Sequence, residues 1–114
     1  MTEGRALISV CFTLDYIQFV FGDFVLAALA DPIVCEGDAT ITTNTPGYRD
    51  VLCRLIGTSV LSTDETESCL EIELDNGARI LIPLDAAWPP GPEMATLSGN
   101  GKFHAAWTRP GLMK

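Results

Sequence analysis

The densest group of reactive side chains in this sequence is a run of carboxylates. Six of the twelve residues from Asp64 to Asp75 are acidic, and none is basic. Their spacing does not match an EF-hand loop and lacks its central glycine, so a calcium site is not predicted. The run either solvates an outer strand face and blocks edge pairing, or forms a docking surface for a basic protein. The candidate partner-binding residues, called here the acidic strip, are Asp64, Glu65, Glu67, Glu71 and Glu73. We expect Asp64, Glu65 and Glu67 in a turn, and Glu71 and Glu73 pointing outward from the strand that follows, so that the five acids converge on one surface.

A second group of residues suits the binding of a small molecule. Two tryptophans, one of them beside Pro89 and Pro90, could line an aromatic groove, and a carboxylate and an imidazole could add polar contacts. The candidate ligand-binding residues are Trp88, Glu93, His104 and Trp107. Tryptophan more often serves core or rim packing, and Glu93 could equally hydrogen-bond to amides of the preceding turn.

Catalytic motifs are not found in the sequence. His104 is the single histidine, and no nucleophile or orienting group is indicated beside it. The nucleophile elbow, the zinc-protease helix motif and the two glycine-rich phosphate-binding fingerprints do not occur. We therefore expect a protein that is not an enzyme, has no catalytic residues and needs no cofactor.

The four cysteines, Cys11, Cys35, Cys53 and Cys69, are widely spaced and include no C-x-x-C pair. Structural zinc normally uses ligands paired at short spacing, so no metal site is predicted. Because three of the four lie in or beside apolar runs, we expect reduced thiols in or near the core.

Length and charge narrow the class of protein. A chain of 114 residues is close to the usual size of one domain, and we expect residues 1–114 to form a single domain with a loose tail over 108–114. The net charge of −8 repels phosphates, so neither nucleic acid nor a membrane is an expected partner. Asp15, Gln18 and Asp23 interrupt the apolar N-terminal region, which argues against a signal peptide and favours the cytoplasm.

Two hairpins are the clearest local signals. Gly22-Asp23 separates two apolar runs, and this turn predicts Phe21 opposite Phe24. In the second hairpin, a three-residue loop ending in a left-handed Gly77 places Ile72 opposite Ile80, whereas a two-residue loop would mix the faces. In the first predicted strand, strict alternation puts Ile8, Val10, Phe12 and Leu14 on one face and Leu7 on the other.

One segment has helical periodicity. Apolar residues recur at steps of three and four from Tyr48 to Ile56, and Gly57 suits the position after a helix end. We predict a mainly β fold, borderline α+β. It would be an antiparallel roll or small barrel of six to eight short strands, with one short helix near 48–56.

A resemblance rests on several short motifs between Tyr48 and Trp107. They are Leu55-Ile56-Gly57 followed by Val60, Leu70-x-Ile72-x-Leu74-x-x-Gly77, Ile82-Pro83, Gly91-Pro92-Glu93 and the closing Trp107. In this pattern the chain resembles a family of small, uncharacterised, β-rich bacterial proteins, some of which are similar to immunity proteins of toxin systems. The resemblance implies a fold more than a function, because each motif is a helix end, a hairpin or a turn.

The expected function is not enzymatic. We expect this chain to be a bacterial inhibitor of the immunity or antitoxin kind, which binds another protein that presents a basic surface. The alternatives are a small-molecule-binding β domain with a pocket near the tryptophans, and a subunit of a larger assembly. The oligomeric state is not predicted.

Overall fold

Ten strands and one short helix make up the computed structural model, which describes residues 4–85, 93–99 and 102–108. The helix is α1 (Tyr48–Arg54). The strands are β1 (Leu7–Phe12), β2 (Ile17–Phe21), β3 (Phe24–Ala28), β4 (Ile33–Glu36), β5 (Ala39–Ile41), β6 (Val60–Glu65), β7 (Cys69–Leu74), β8 (Arg79–Pro83), β9 (Glu93–Gly99) and β10 (Lys102–Thr108). They form two five-stranded antiparallel sheets: sheet I in the order β1-β2-β3-β9-β10 and sheet II in the order β5-β4-β8-β7-β6.

The mainly β class is confirmed, but two details of the expectation are wrong. The described residues form ten strands, more than the six to eight expected, because β4 and β5 pair as well, although β5 has three residues. The sheets are separate and do not close into a barrel. Pro32 lacks an N–H to donate, so the ladder stops after β3 and the chain crosses to sheet II. Thr108 belongs to β10 rather than to a tail, and 109–114 lie outside the described residues.

Both predicted hairpins have the expected register. Phe21 pairs with Phe24 around Gly22, whose φ is +57°. Ile72 pairs with Ile80 across the second hairpin, and the loop glycine Gly77 has a φ of +90°. This second register leaves alternate residues of β7 buried, and those residues are Leu70, Ile72 and Leu74.

The predicted faces of β1 are confirmed for Val10 and Phe12, which pack against the core, but they are wrong for Leu7 and Ile8 because the strand contains a bulge. Leu7 pairs with Phe21 and Ser9 pairs with Val20, so Ile8 is an extra residue between two partners. The bulge inverts the alternation: Leu7 is fully buried, whereas Ile8 is 55% exposed. Composition contains no signal for this extra residue, since Ile8 suits a buried position as well as Leu7 does.

Helix α1 buries the expected side chains, with one exception. Tyr48, Val51, Leu52 and Leu55 lie in the core, but Ile56 is exposed. The helix ends at Arg54, two residues before the predicted end, and Gly57 follows with a φ of +100°. Ile56 therefore lies beyond the last helical turn, where the three-and-four periodicity no longer directs its side chain.

The cysteines are free thiols, but the expectation that all are in or near the core is wrong for two of them. Cys11 and Cys53 are exposed, while Cys35 and Cys69 are half-buried. Cys11 alternates with the partly buried Val10 and Phe12, which pack against the core, and so its own side chain points to solvent.

Candidate functional site

The outward face of β6 and β7 carries part of the acidic strip. Asp64 pairs directly with Glu71, and Ser62 pairs with Glu73. Because the intervening β7 side chains are buried, Glu71 and Glu73 point away from the core, as predicted. We call Asp64, Glu71 and Glu73 the acidic face.

The turn between β6 and β7 is shorter than the sequence indicated. Asp64 and Glu65 were expected in this turn, but both belong to β6. The backbone N–H of Thr66 donates to the carbonyl oxygen of Cys69 (2.9 Å), and the N–H of Cys69 donates to the Thr66 hydroxyl (3.1 Å). These bonds close the turn over three residues and leave Glu67 at its exposed tip.

Glu65 lies on the opposite side of sheet II from the acidic face. It pairs with Leu70, whose side chain is in the core. The indole Nε1 of Trp107 donates a hydrogen bond of 2.7 Å to Glu65 Oε1. Glu65 of the acidic strip and Trp107 of the candidate ligand group are thus hydrogen-bonded to each other, although 42 residues separate them in the sequence.

This contact links edge strands of the two sheets, since β6 is an edge of sheet II and β10 an edge of sheet I. Trp107 is only 7% exposed, and a buried indole N–H needs an acceptor. An ionised carboxylate is a strong acceptor for it. The bond therefore explains both side chains structurally, without a ligand or a partner.

Basic side chains neutralise the acidic face only in part. Arg79 Nη1 lies 3.6 Å from Glu71 Oε1, and Arg79 also pairs across the hairpin with Glu73. Asp64 has no ion pair with any described residue. Like charges directly opposite each other on two strands are destabilising, so the pairing of Asp64 with Glu71 costs folding energy.

The remaining candidate ligand residues stay a prediction. Trp88 lies outside the described residues. Glu93 begins β9, and His104 is the extra residue of a bulge in β10, between the paired Phe103 and Ala105. The backbone therefore places His104 in a strand, as expected, but at an irregular position.

A cleft that the sequence did not indicate lies beside α1. Its volume is about 240 Å³. Four segments form it: the β1–β2 turn with the adjoining strand ends, the chain after β3, the loop after β5, and the first turn of α1. The lining residues are Phe12, Thr13, Leu14, Asp15, Tyr16, Ile17, Leu29, Asp31, Thr43, Tyr48 and Arg49. Sequence patterns missed it because its lining comes from residues 12–17, 29–31 and 43–49, which are separated from one another in the chain.

Tyr48 anchors one wall of this cleft. Its hydroxyl donates a hydrogen bond of 2.5 Å to the carbonyl oxygen of Pro32. Burial of the phenol, assisted by the negative charge of Asp31, raises the pKa of Tyr48 far above its usual value. The hydroxyl therefore stays protonated and serves as a structural donor, not as an acid or a base near neutral pH.

Tyr48→Phe is expected to lower the free energy of unfolding by about 1–2 kcal/mol at pH 7, because the Pro32 carbonyl loses its donor. The raised folded-state pKa means that the wild type loses stability above the unfolded-state pKa of ~10, by at most about 1.4 kcal/mol per pH unit. Below that pH the contribution of the Tyr48 hydroxyl to the free energy of unfolding is fully present and constant.

Urea unfolding of the wild type and of Tyr48→Phe between about pH 8 and 11 measures how this contribution to stability depends on pH. The difference in stability between wild type and Tyr48→Phe should shrink as the pH rises. A difference that stays constant over this range contradicts the assignment of the shift to Tyr48.

No group of three or more His, Cys, Asp and Glu side chains in the described part of the chain is arranged to hold a metal ion. No helix over residues 4–85, 93–99 and 102–108 has the length and apolar character to cross a bilayer.

Comparison of the chain with family models, with curated proteins and with solved structures finds no match. The resemblance to small β-rich bacterial proteins therefore stays a prediction.

Proposed function

We propose that this protein acts by binding a second protein through the acidic face, as an inhibitor of the immunity or antitoxin kind. The observation that supports the proposal most directly is the cross-strand pairing of Asp64 with Glu71. Such a pair weakens the sheet. A selective advantage outside folding, such as attraction of a basic partner, accounts for its presence.

The position of the acidic face suits docking. Its carboxylates stand on β6 and β7, and the side chains between them on β7 are almost fully buried. The backbone beneath the charges is therefore held by core packing, and little order has to be gained when a partner binds. Glu67, at the exposed tip of the adjoining turn, adds a fourth charge.

Electrostatic attraction of this kind acts on the association rate more than on the final affinity. The protein's net charge of −8 adds a long-range attraction to any basic surface. We place the activity in the bacterial cytoplasm, where a reducing environment suits four free cysteines.

The test is the association rate with the protein encoded by the neighbouring gene, or with a partner recovered by affinity capture. The triple variant Asp64→Asn, Glu71→Gln, Glu73→Gln should bind about tenfold more slowly at low salt, and the difference should vanish at high salt. Co-expression of the wild type, but not of the variant, should relieve growth inhibition by the partner.

The matched control is Asp38→Asn, Asp50→Asn, Asp85→Asn, which changes the net charge equally at three exposed positions outside β6 and β7. It should bind at nearly the wild-type rate. Equal slowing by both triple variants would show that only net charge matters, and the acidic face would then have no specific role.

A further inference from the structure

The cleft beside α1 brings unpaired charges of both signs together. Arg49 lies on one wall, with its guanidinium 5.4 Å from the centre of the Phe12 ring. Asp15 and Asp31 line the same cleft. Neither carboxylate forms an ion pair with Arg49 or with any other cation among the residues described, although Arg5, Arg54 and Arg79 are each paired.

We propose that this cleft binds a small zwitterion, a free α-amino acid with an apolar side chain. Arg49 would take the carboxylate through two parallel N–H donors, a geometry that the planar guanidinium favours. Asp31 after β3, together with Asp15 in the β1–β2 turn, would bind the ammonium group. The site lies on different elements from the acidic face, so this inference does not depend on the proposed function.

The walls and the size of the cleft support a ligand of this class. Most of the exposed lining is polar, which suits a ligand with two charges, and Phe12, Ile17 and Leu29 provide the smaller apolar part, with the guanidinium of Arg49 over the Phe12 ring. Leu14 is 99% exposed at the rim, where an apolar ligand side chain could cover it. A volume of about 240 Å³ is below the roughly 300–1,000 Å³ of sites for drug-sized molecules, so the ligand has few heavy atoms.

Ligands with one charge fit this arrangement less well. A simple anion at Arg49 would lie beside two carboxylates that repel it, and a simple cation at Asp31 would be opposed by the guanidinium. A zwitterion satisfies both charges and leaves no new unpaired charge in a partly enclosed site.

The experiment is a titration of the ¹⁵N-labelled full chain, followed by amide chemical shifts. Three probes of similar shape separate the charges: L-leucine, leucinamide, which lacks the carboxylate, and 4-methylpentanoate, which lacks the ammonium group. L-leucine should shift amides of the β1–β2 turn and of the first turn of α1. Each of the other probes should bind at least about tenfold more weakly.

Variants assign the charges to their residues. Arg49→Gln should reduce leucine binding to the level of leucinamide binding, and Asp31→Asn should reduce it to the level of 4-methylpentanoate. The matched control is Arg54→Gln on the same helix, which removes an exposed arginine paired with Glu36 and should leave leucine binding unchanged. Thermal unfolding of each variant confirms that it is folded, and Arg49→Met, which also removes the charge, replaces Arg49→Gln if the latter is not.

Two results would overturn the proposal. One is the absence of shifts in the cleft with L-leucine up to about 10 mM, a concentration that detects even millimolar affinity. The other is equal binding of all three probes, which would indicate an apolar pocket without charge recognition.

Discussion

Trp107→Ala is expected to lower the free energy of unfolding by about 3–5 kcal/mol, the largest effect of any single substitution considered. The indole is almost fully buried in the core. Its removal leaves a cavity and also leaves Glu65 without the N–H that it accepts at 2.7 Å. Chemical denaturation followed by circular dichroism measures the loss.

A double-mutant cycle separates the hydrogen bond from the packing. Trp107→Phe keeps most of the ring volume but removes the donor, and Glu65→Ala removes the acceptor at an expected cost of about 1–3 kcal/mol. If the bond is formed, the two costs should not add in the double variant. Glu67→Ala, a glutamate in the exposed turn next to β6, is the control and should change stability by less than about 0.5 kcal/mol.

Additive costs in this cycle would mean that Glu65 and Trp107 do not interact in solution. Glu65 would then be free to join the acidic face in partner binding. A coupled result assigns Glu65 to the link between β6 and β10, and Glu65→Gln should then leave the association rate with a partner unchanged.

Leu52→Ala is expected to cost about 2–5 kcal/mol. Leu52 is fully buried, on a helix of seven residues that is too short to be stable without its contacts to the core. The substitution should therefore loosen the whole of α1. The control, Arg54→Ala, lies on the exposed side of the same helix and should cost less than about 1 kcal/mol.

Loosening α1 should also affect the cleft, because the helix positions Tyr48 and Arg49 there. We expect Leu52→Ala to weaken leucine binding even at a temperature where the protein remains folded, whereas Arg54→Ala should not. Loss of stability without loss of binding would show that the cleft does not depend on the docking of α1.

Local patterns determined much of this structure. In both hairpins the turn residues and the alternation of apolar side chains agree on one register, and a slip of one residue would expose the apolar face to water. The spacing of apolar residues likewise predicted the helix and its buried side. The exception is Ile56, which lies beyond the end of the helix. The outward direction of Glu71 and Glu73 was predictable for this reason, since Leu70, Ile72 and Leu74 fix the inward face of β7.

Two kinds of feature were decided by tertiary structure: irregularities within a strand, and contacts with a residue that is distant in the sequence. The bulge at Ile8 reverses the predicted faces of Leu7 and Ile8 at the start of β1, and nothing in the neighbouring residues signals an inserted position. Glu65 differs from Asp64 only by one step along β6, yet that step places its carboxylate on the side of the sheet where it accepts the hydrogen bond of Trp107.

The cleft beside α1 is the strongest case of such dependence. Arg49 and Asp31 belong to different segments, and they line one cavity at the place where Tyr48 ties the start of the helix to Pro32. Sequence periodicity reports which side of an element is buried, since that depends on residues within the element. Which elements meet depends on packing between segments far apart in the chain, and a single sequence does not encode that in any local pattern.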